Sequence, residues 1–143
     1  MIFARKKRQI IRLLIVEDEP LVAFDNEHFL ADAAYQIVAT VDSVADAVES
    51  ITSGDDIDLV LVDVNLVDGS GVDVARAARE RGLPVLFVAG ACPDDAHVYS
   101  DGWLAKPYAQ RDLTGAIEAL EAMLAGKPLK RLPNGLQLFE RTA

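Results

Sequence analysis

Three carboxylates and one ammonium stand at the ends of short apolar runs. Asp63 follows Leu59-Val60-Leu61-Val62 and precedes the turn-rich stretch Asn65-Leu66-Val67-Asp68-Gly69-Ser70-Gly71. Leu13-Leu14-Ile15-Val16 runs into Glu17-Asp18, and Trp103-Leu104-Ala105 runs into Lys106-Pro107. Three acids brought together make a hard, oxygen-rich site of the kind that suits Mg²⁺. A divalent cation there relieves the repulsion between the acids and neutralises an incoming phosphoryl group. A carboxylate can then act as nucleophile and become an acyl phosphate, while a lysine offers a mobile point charge to phosphate oxygens. Singly, each feature has a plainer reading: Asp63 in a turn, Glu17-Asp18 at a helix cap, Lys106 in solvent. Their recurrence at strand ends favours a common site, because open α/β sheets bind ligands at the carboxyl edge of their strands.

The elements that must position these residues alternate strand and helix. A first strand is expected over about Ile11 to Val16. Pro20 sits near the first turn of a helix reaching about Ala34, as proline prefers. A second strand spans Gln36 to Val41. Ser43-Val44-Ala45-Asp46 is a capping-box pattern, and Val44, Ala47, Val48 and Ile51 form a helical stripe. Leu59 to Val62 is the third strand. Ser70-Gly71-Val72-Asp73 opens a helix to about Arg81, with Gly82 as its stop. Pro84 leads into the fourth strand, Val85 to Ala89, and Trp103 to Ala105 is the fifth. A last helix carries Leu113, Ile117, Leu120 and Leu124 on one face and ends at Gly126 before Pro128. This alternation implies a parallel sheet covered on both faces.

Composition fits one globular domain. The chain has 143 residues, 51% of them apolar and 26% charged, enough length for a real core. Its net charge of −9 argues against non-specific nucleic-acid binding, which needs Lys and Arg on phosphates. The single cysteine, Cys92, excludes an intramolecular disulfide and suits a reducing, cytoplasmic compartment. No apolar run approaches the length of a membrane span. Residues 1–9 form a basic N-terminal extension that makes a poor signal peptide.

The motifs Val16-Glu17-Asp18-Glu19-Pro20, Asp63 with Asp68-Gly69-Ser70-Gly71, and Lys106-Pro107 together resemble the receiver domain of response regulators, the module of two-component signalling. The resemblance covers about Ile10 to Ala125 and assigns residues 10–126 to the receiver and 127–143 to a C-terminal tail. It implies a flavodoxin-like, doubly wound (βα)5 fold with a five-stranded parallel sheet in the order 2-1-3-4-5. It makes Asp63 the phosphoacceptor, Glu17 and Asp18 the acid pair that holds Mg²⁺ with Asp63, and the backbone carbonyl of Asn65 a further metal ligand. Lys106 is then the phosphoryl contact, and the peptide bond before Pro107 is cis. The implied partner is a histidine kinase or phosphotransfer protein.

The chain also departs from that pattern. Receivers carry Ser or Thr at the tip of strand four, where this chain has Ala89, and no hydroxyl follows until Ser100. Coupling through the following loop must therefore work differently or weakly. The segment from Ala89 to Lys106 is shorter than usual, so the fourth helix should be short or irregular. Phe87-Val88-Ala89-Gly90, together with Leu21-Val22-Ala23 and Glu27, resembles the alphaproteobacterial FATGUY class of single-domain receivers, without that class's Thr. A short fourth helix removes a surface through which many receivers dimerise, so a monomer is expected before phosphorylation.

Other residues have bland readings. His28 is expected in solvent on the first helix, and His97 has no neighbours to ligate with. Trp103 occupies the position of a switch aromatic, or is a packing residue at the strand edge. Asn26 falls on the buried face of the first helix and then needs a hydrogen-bond partner. Cys92 reads as a small packing residue. In the tail, Leu136-Gln137-Leu138-Phe139 alternates like a strand, which docks on its own domain, on a second copy or on a partner.

Three functions follow from these residues. The first is a phosphoryl-accepting regulator, signalling by protein contact or acting as a phosphate sink. The second is a pseudo-receiver, which Ala89 favours and the Glu17, Asp18, Asp63 and Lys106 set opposes. The third is a Mg²⁺-dependent phosphohydrolase, which would want an acid where Asn65 stands.

Overall fold

The structure, a computed structural model, describes residues 8–141. The basic extension expected over residues 1–9 lies outside the described residues, except for Arg8 and Gln9. The apolar runs form five strands: β1 (Arg12–Val16), β2 (Gln36–Val41), β3 (Leu59–Val62), β4 (Val85–Ala89) and β5 (Gly102–Ala105). Between and after them lie α1 (Pro20–Asp32), α2 (Val44–Thr52), α3 (Gly71–Glu80), α4 (Ala96–Tyr99) and α5 (Gln110–Leu124). A two-residue hairpin, Asn65–Leu66 against Gly69–Ser70, joins β3 to α3. A sixth strand, β6 (Leu136–Leu138), comes from the tail.

The sheet order is β2-β1-β3-β4-β5-β6. The first five strands run parallel in the expected order, and β6 pairs antiparallel with β5. The expected five parallel strands are thus present in the expected order, and β6 extends the sheet by a sixth, antiparallel strand. Without β6, the outer edge of β5 would present a row of unpaired backbone groups. Instead, the Ala105 amide donates to Gly135 O at 2.9 Å, and the Phe139 amide donates to Asp101 O at 3.0 Å. Gly135 turns the chain into β6 with φ of 80°, a left-handed conformation that favours glycine. Of the three dockings open to the tail, the one on its own domain is observed.

Arg141 fastens the far end of the tail. Its Nε donates to Asp101 Oδ1 at 2.6 Å and its Nη2 to Oδ2 at 3.2 Å. Asp101 is fully buried and also accepts from the Val85 amide at 2.9 Å. A buried carboxylate needs such partners to offset its desolvation.

The continuous apolar runs conceal an alternation. Leu13, Ile15, Leu59, Leu61, Leu86, Val88 and Leu104 pack on one face with Leu30 of α1 and Leu113, Ile117 and Leu120 of α5. Leu14, Val16, Val60, Val62, Val85 and Phe87 pack on the other with Ala47 and Ile51 of α2 and Val74, Ala75 and Ala78 of α3. Successive strand residues point to opposite faces, and helices cover both, so the interior strands β3 and β4 are apolar and buried at every position.

Helix ends follow local chemistry. The Asp46 amide donates to Ser43 Oγ at 3.1 Å, and the Val72 amide to Ser70 Oγ at 3.1 Å, so both serines cap their helices. Helix α1 stops at Asp32, short of the expected Ala34, which has a left-handed φ of 71°. Helix α4 is a single turn, as the short β4–β5 segment predicts.

Candidate functional site

Backbone pairing brings the three strand ends together. The Asp63 amide donates to Val16 O at 2.9 Å, which sets Asp63 beside the exit of β1. The Glu17 amide donates to Val41 O at 2.9 Å, continuing the ladder one residue past β1. On the other side, the Lys106 amide donates to Ala89 O at 2.9 Å. The chain leaves β5 there, and the Lys106–Pro107 peptide is cis.

The lysine side chain lies between two acids. Lys106 Nζ donates to Glu17 Oε1 at 2.7 Å and to Asp63 Oδ2 at 2.9 Å. The free oxygens have backbone donors: the Glu19 amide to Glu17 Oε2 at 3.2 Å, and the Asn65 amide to Asp63 Oδ1 at 3.3 Å. Glu17 and Asp63 are buried, whereas Asp18 is half-buried and Asn65 exposed. One carboxylate oxygen from each of Glu17, Asp18 and Asp63 lies within 4.8 Å of the others.

Electrostatics follow from this crowding. Burial pushes the Glu17 carboxyl up to about 7, assisted by Asp63 and opposed by the Lys106 hydrogen bond. Burial works against the Lys106 charge, but the Glu17 and Asp63 carboxylates outweigh it and raise its pKa above the ordinary lysine range. Lysine thus partly does what a divalent ion would do, holding like charges together. A donor set made wholly of carboxylate oxygens, spaced this closely, fits Mg²⁺.

Two residues shape the loop that carries Asp63. Asp68 accepts from the Val44 amide at 2.6 Å and the Ala45 amide at 3.1 Å, tying the loop to the start of α2. Those two bonds hold its carboxyl below the usual range. Gly71 passes so close to Asp63 that a Cβ would lie 2.0 Å from the Asp63 carbonyl oxygen. Only glycine allows that approach.

The departures from the receiver pattern are also resolved. Ala89 is buried at the tip of β4, and its carbonyl accepts from Trp103 Nε1 at 3.0 Å as well as from the Lys106 amide. Asn26 has its partner: Nδ2 donates to Tyr108 Oη at 2.7 Å. Tyr108 was not legible as that partner, since 82 positions separate the two. His28 is exposed and its ring lies 4.1 Å from that of Phe24, and His97 is exposed on α4. Cys92 is exposed, which corrects its reading as a packing residue. Gly90 and Ala91 beside it in the loop after β4 are exposed as well. Slight burial and the charge of Asp94 raise the Cys92 thiol's pKa. Among the described residues, no helix is long and apolar enough to cross a membrane.

The chain is similar to known receivers over this same region. The family model for the response regulator receiver domain matches residues 13–118. Transcriptional regulatory protein DltR of Streptococcus agalactiae is 32% identical over 114 residues, covering 75% of this chain and 50% of that protein. Cell cycle transcriptional regulator CtrA of Caulobacter vibrioides is 28% identical over 117 residues, covering 77% of this chain and 50% of that protein. The chain spans about half the length of the curated relatives it matches. Among solved structures, a response regulator receiver protein from Sinorhizobium medicae superposes with a TM-score of 0.68 at 28% identity, covering 78% of this chain and 94% of that one. A CheY-like receiver domain from Methanospirillum hungatei gives a TM-score of 0.69 at 23% identity, over 77% and 92% of the two chains. With its sheet order, its fold and most of its length matched in this way, the chain belongs to the response regulator receiver domain family.

Proposed function

We propose that Asp63 accepts a phosphoryl group from a histidine kinase or phosphotransfer protein in a Mg²⁺-dependent reaction, and that the phosphorylated receiver signals by protein contact or serves as a phosphate sink. The observation that carries this reading is Lys106 Nζ held at 2.9 Å from Asp63 and 2.7 Å from Glu17 within a three-carboxylate cluster. Glu17, Asp18, Asp63 and the backbone carbonyl of Asn65 would hold the ion. When bound, it supplies positive charge that offsets the acids and the incoming phosphoryl group.

The chain's own residues then have separate roles. An Asp63 carboxylate oxygen attacks phosphorus, and its bond to phosphorus forms as the bond to the donor nitrogen breaks. The donor imidazole, protonated by solvent on its other ring nitrogen, leaves as neutral imidazole when the phosphorus–nitrogen bond breaks. Lys106 turns from Asp63 toward the phosphoryl oxygens and stays within reach of Glu17. Gly71 and Asp68 hold the Asp63 loop in place. A reducing, cytoplasmic setting accords with the single cysteine, and the single-turn α4 supports kinship with the FATGUY class and a monomer before phosphorylation.

The test is labelling with acetyl phosphate or a kinase. Asp63→Asn should abolish labelling, while Lys106→Ala should retain it. Label at wild-type stoichiometry in Asp63→Asn would overturn the assignment. Ala89 favours one rival, a pseudo-receiver that binds partners regardless of phosphorylation. A wild-type protein that takes up neither phosphate nor beryllofluoride would establish it.

A further inference from the structure

Lys106 works only if its ammonium stays near Asp63 when the charges around it change. Its grip on Glu17 and Asp63 cannot guarantee this, because phosphorylation alters one of those two groups. The lysine therefore needs an anchor that the phosphoryl group does not disturb. One lies behind it, in the bond from its amide to Ala89 O at 2.9 Å. The other lies ahead of it. Tyr108 is two residues beyond Lys106, in the loop between β5 and α5, and its hydroxyl accepts from Asn26 Nδ2 at 2.7 Å.

The chemistry of this pair is unusual for its place. Asn26 is 8% exposed, on the face of α1 that packs toward α5. A buried amide must be hydrogen-bonded, and leaving its partner out strands a polar group. An apolar residue at position 26 with phenylalanine at 108 would cover the same surface without that liability. What the hydrogen bond adds is direction: it fixes Tyr108 at one height along α1, whereas apolar contact tolerates sliding. Helix α1 begins at Pro20, directly after Glu17, Asp18 and Glu19. The acid pair therefore stands just ahead of the helix whose second turn carries the Tyr108 anchor. Asn26, Tyr108, Pro107 and Lys106 line one cleft together with Glu19 and Val22.

We propose that Asn26 and Tyr108 are positioning residues for Lys106, fixing its distance from Asp63 by tying the β5–α5 loop to α1. The proposal rests on the phosphoacceptor reading above and deepens it. Neither residue touches the phosphoryl group. Their effect passes through the lysine, so it should vanish when the lysine is absent. A misplacement of about 1 Å at a charge-stabilising group can cost on the order of 10²-fold, and a loop freed at one of two anchors should lose less than that.

The experiment uses beryllofluoride as the phosphoryl mimic, followed by ¹⁹F NMR, with Mg²⁺ affinity measured separately from Trp103 fluorescence. Tyr108→Phe and Asn26→Leu should each weaken beryllofluoride binding about tenfold and leave Mg²⁺ affinity within about twofold. The double variant should lose no more than either single one, because one bond is removed in all three. In a Lys106→Ala background, Tyr108→Phe should cause no further loss. Beryllofluoride binding unchanged in both single variants would overturn the proposal. So would an equal loss in the Lys106→Ala background, or a parallel loss of Mg²⁺ affinity, which would mark a general structural role. Failure of the wild-type protein to bind beryllofluoride would instead overturn the phosphoacceptor reading itself.

Discussion

The indole Nε1 of Trp103 donates to the backbone carbonyl of Ala89 at 3.0 Å. The same carbonyl accepts from the Lys106 amide at 2.9 Å. One backbone oxygen thus joins the tip of β4 to both the aromatic residue of β5 and Lys106. No hydroxyl at position 89 is needed for that connection. Two states are coupled only by contacts that differ between them, and this contact is one that can differ.

Trp103→Phe should therefore cost about 0.5–1.5 kcal/mol for the lost hydrogen bond, read by denaturant unfolding. It should also shrink the amide shifts that beryllofluoride produces across residues 90–102. Ala89→Thr should enlarge those shifts, because a hydroxyl donating to a charged oxygen is worth about 1.5–3 kcal/mol. Equal and large shifts in wild type and Ala89→Thr would show the missing hydroxyl to be irrelevant.

The raised Glu17 carboxyl gives the site a pH dependence of known sign. Burial lifts it from 4.5 to about 7, so the folded protein keeps a proton that the unfolded chain releases. Its contribution to stability is complete below about 4.5 and is lost as pH rises toward 7. Mg²⁺ binding runs the other way, since a cation must displace that proton. Apparent Mg²⁺ affinity should climb by up to about tenfold per pH unit between 5 and 7, then level off. Titrations of Trp103 fluorescence at several pH values check this, and Glu17→Gln should flatten the dependence.

Gly71→Ala should disturb the site from behind. Its Cβ would stand 2.0 Å from the Asp63 carbonyl oxygen, which is backbone and cannot swing aside. Overpacking of this kind costs about 1–3 kcal/mol. Thermal unfolding should show a lower midpoint, and Mg²⁺ affinity should fall with it. A variant as stable as wild type would mean that the Asp63 loop yields more easily than its packing implies.

The tail tests differently. Arg141→Ala leaves the buried Asp101 with the Val85 amide and the more distant Arg79, 3.6 Å away. Loss of a charged hydrogen-bond partner should cost about 1–3 kcal/mol. Ending the chain at Gly126 removes Arg141 and all of β6, and bares the outer edge of β5. Open edges associate, so light scattering should show a monomer for the full chain and larger species for the truncated one. A truncated protein that stays monomeric and equally stable would overturn the role given to β6.

The sheet and its chemical edge were legible because each strand is a run of apolar residues ending in a charged one. Asp63, Glu17 and Lys106 needed only the strand order to be brought together. The tail strand was written as alternation over four residues, Leu136 to Phe139, which identifies a strand but not its partner. Its seat depends on Gly135 and on Arg141 reaching Asp101, forty positions away. The Asn26–Tyr108 bond was half legible: a buried amide calls for a partner, but sequence spacing cannot name one. Cys92 read as a packing residue from its residue type, but it lies in the loop after β4, where it is exposed, and residue type does not fix burial in a loop.

Strand β6 also changes the standing of β5. With neighbours on both sides, β5 is an interior strand, and its amides are held between β4 and the tail. In exchange with deuterated solvent, residues 102–105 should rank with β1 and β3 among the last to give up their protons, opening only with the whole domain. Lys106 thus follows directly on an interior strand of the sheet. Any rearrangement that follows chemistry at Asp63 must reach Trp103 as a small rigid displacement, because this strand has no room to melt.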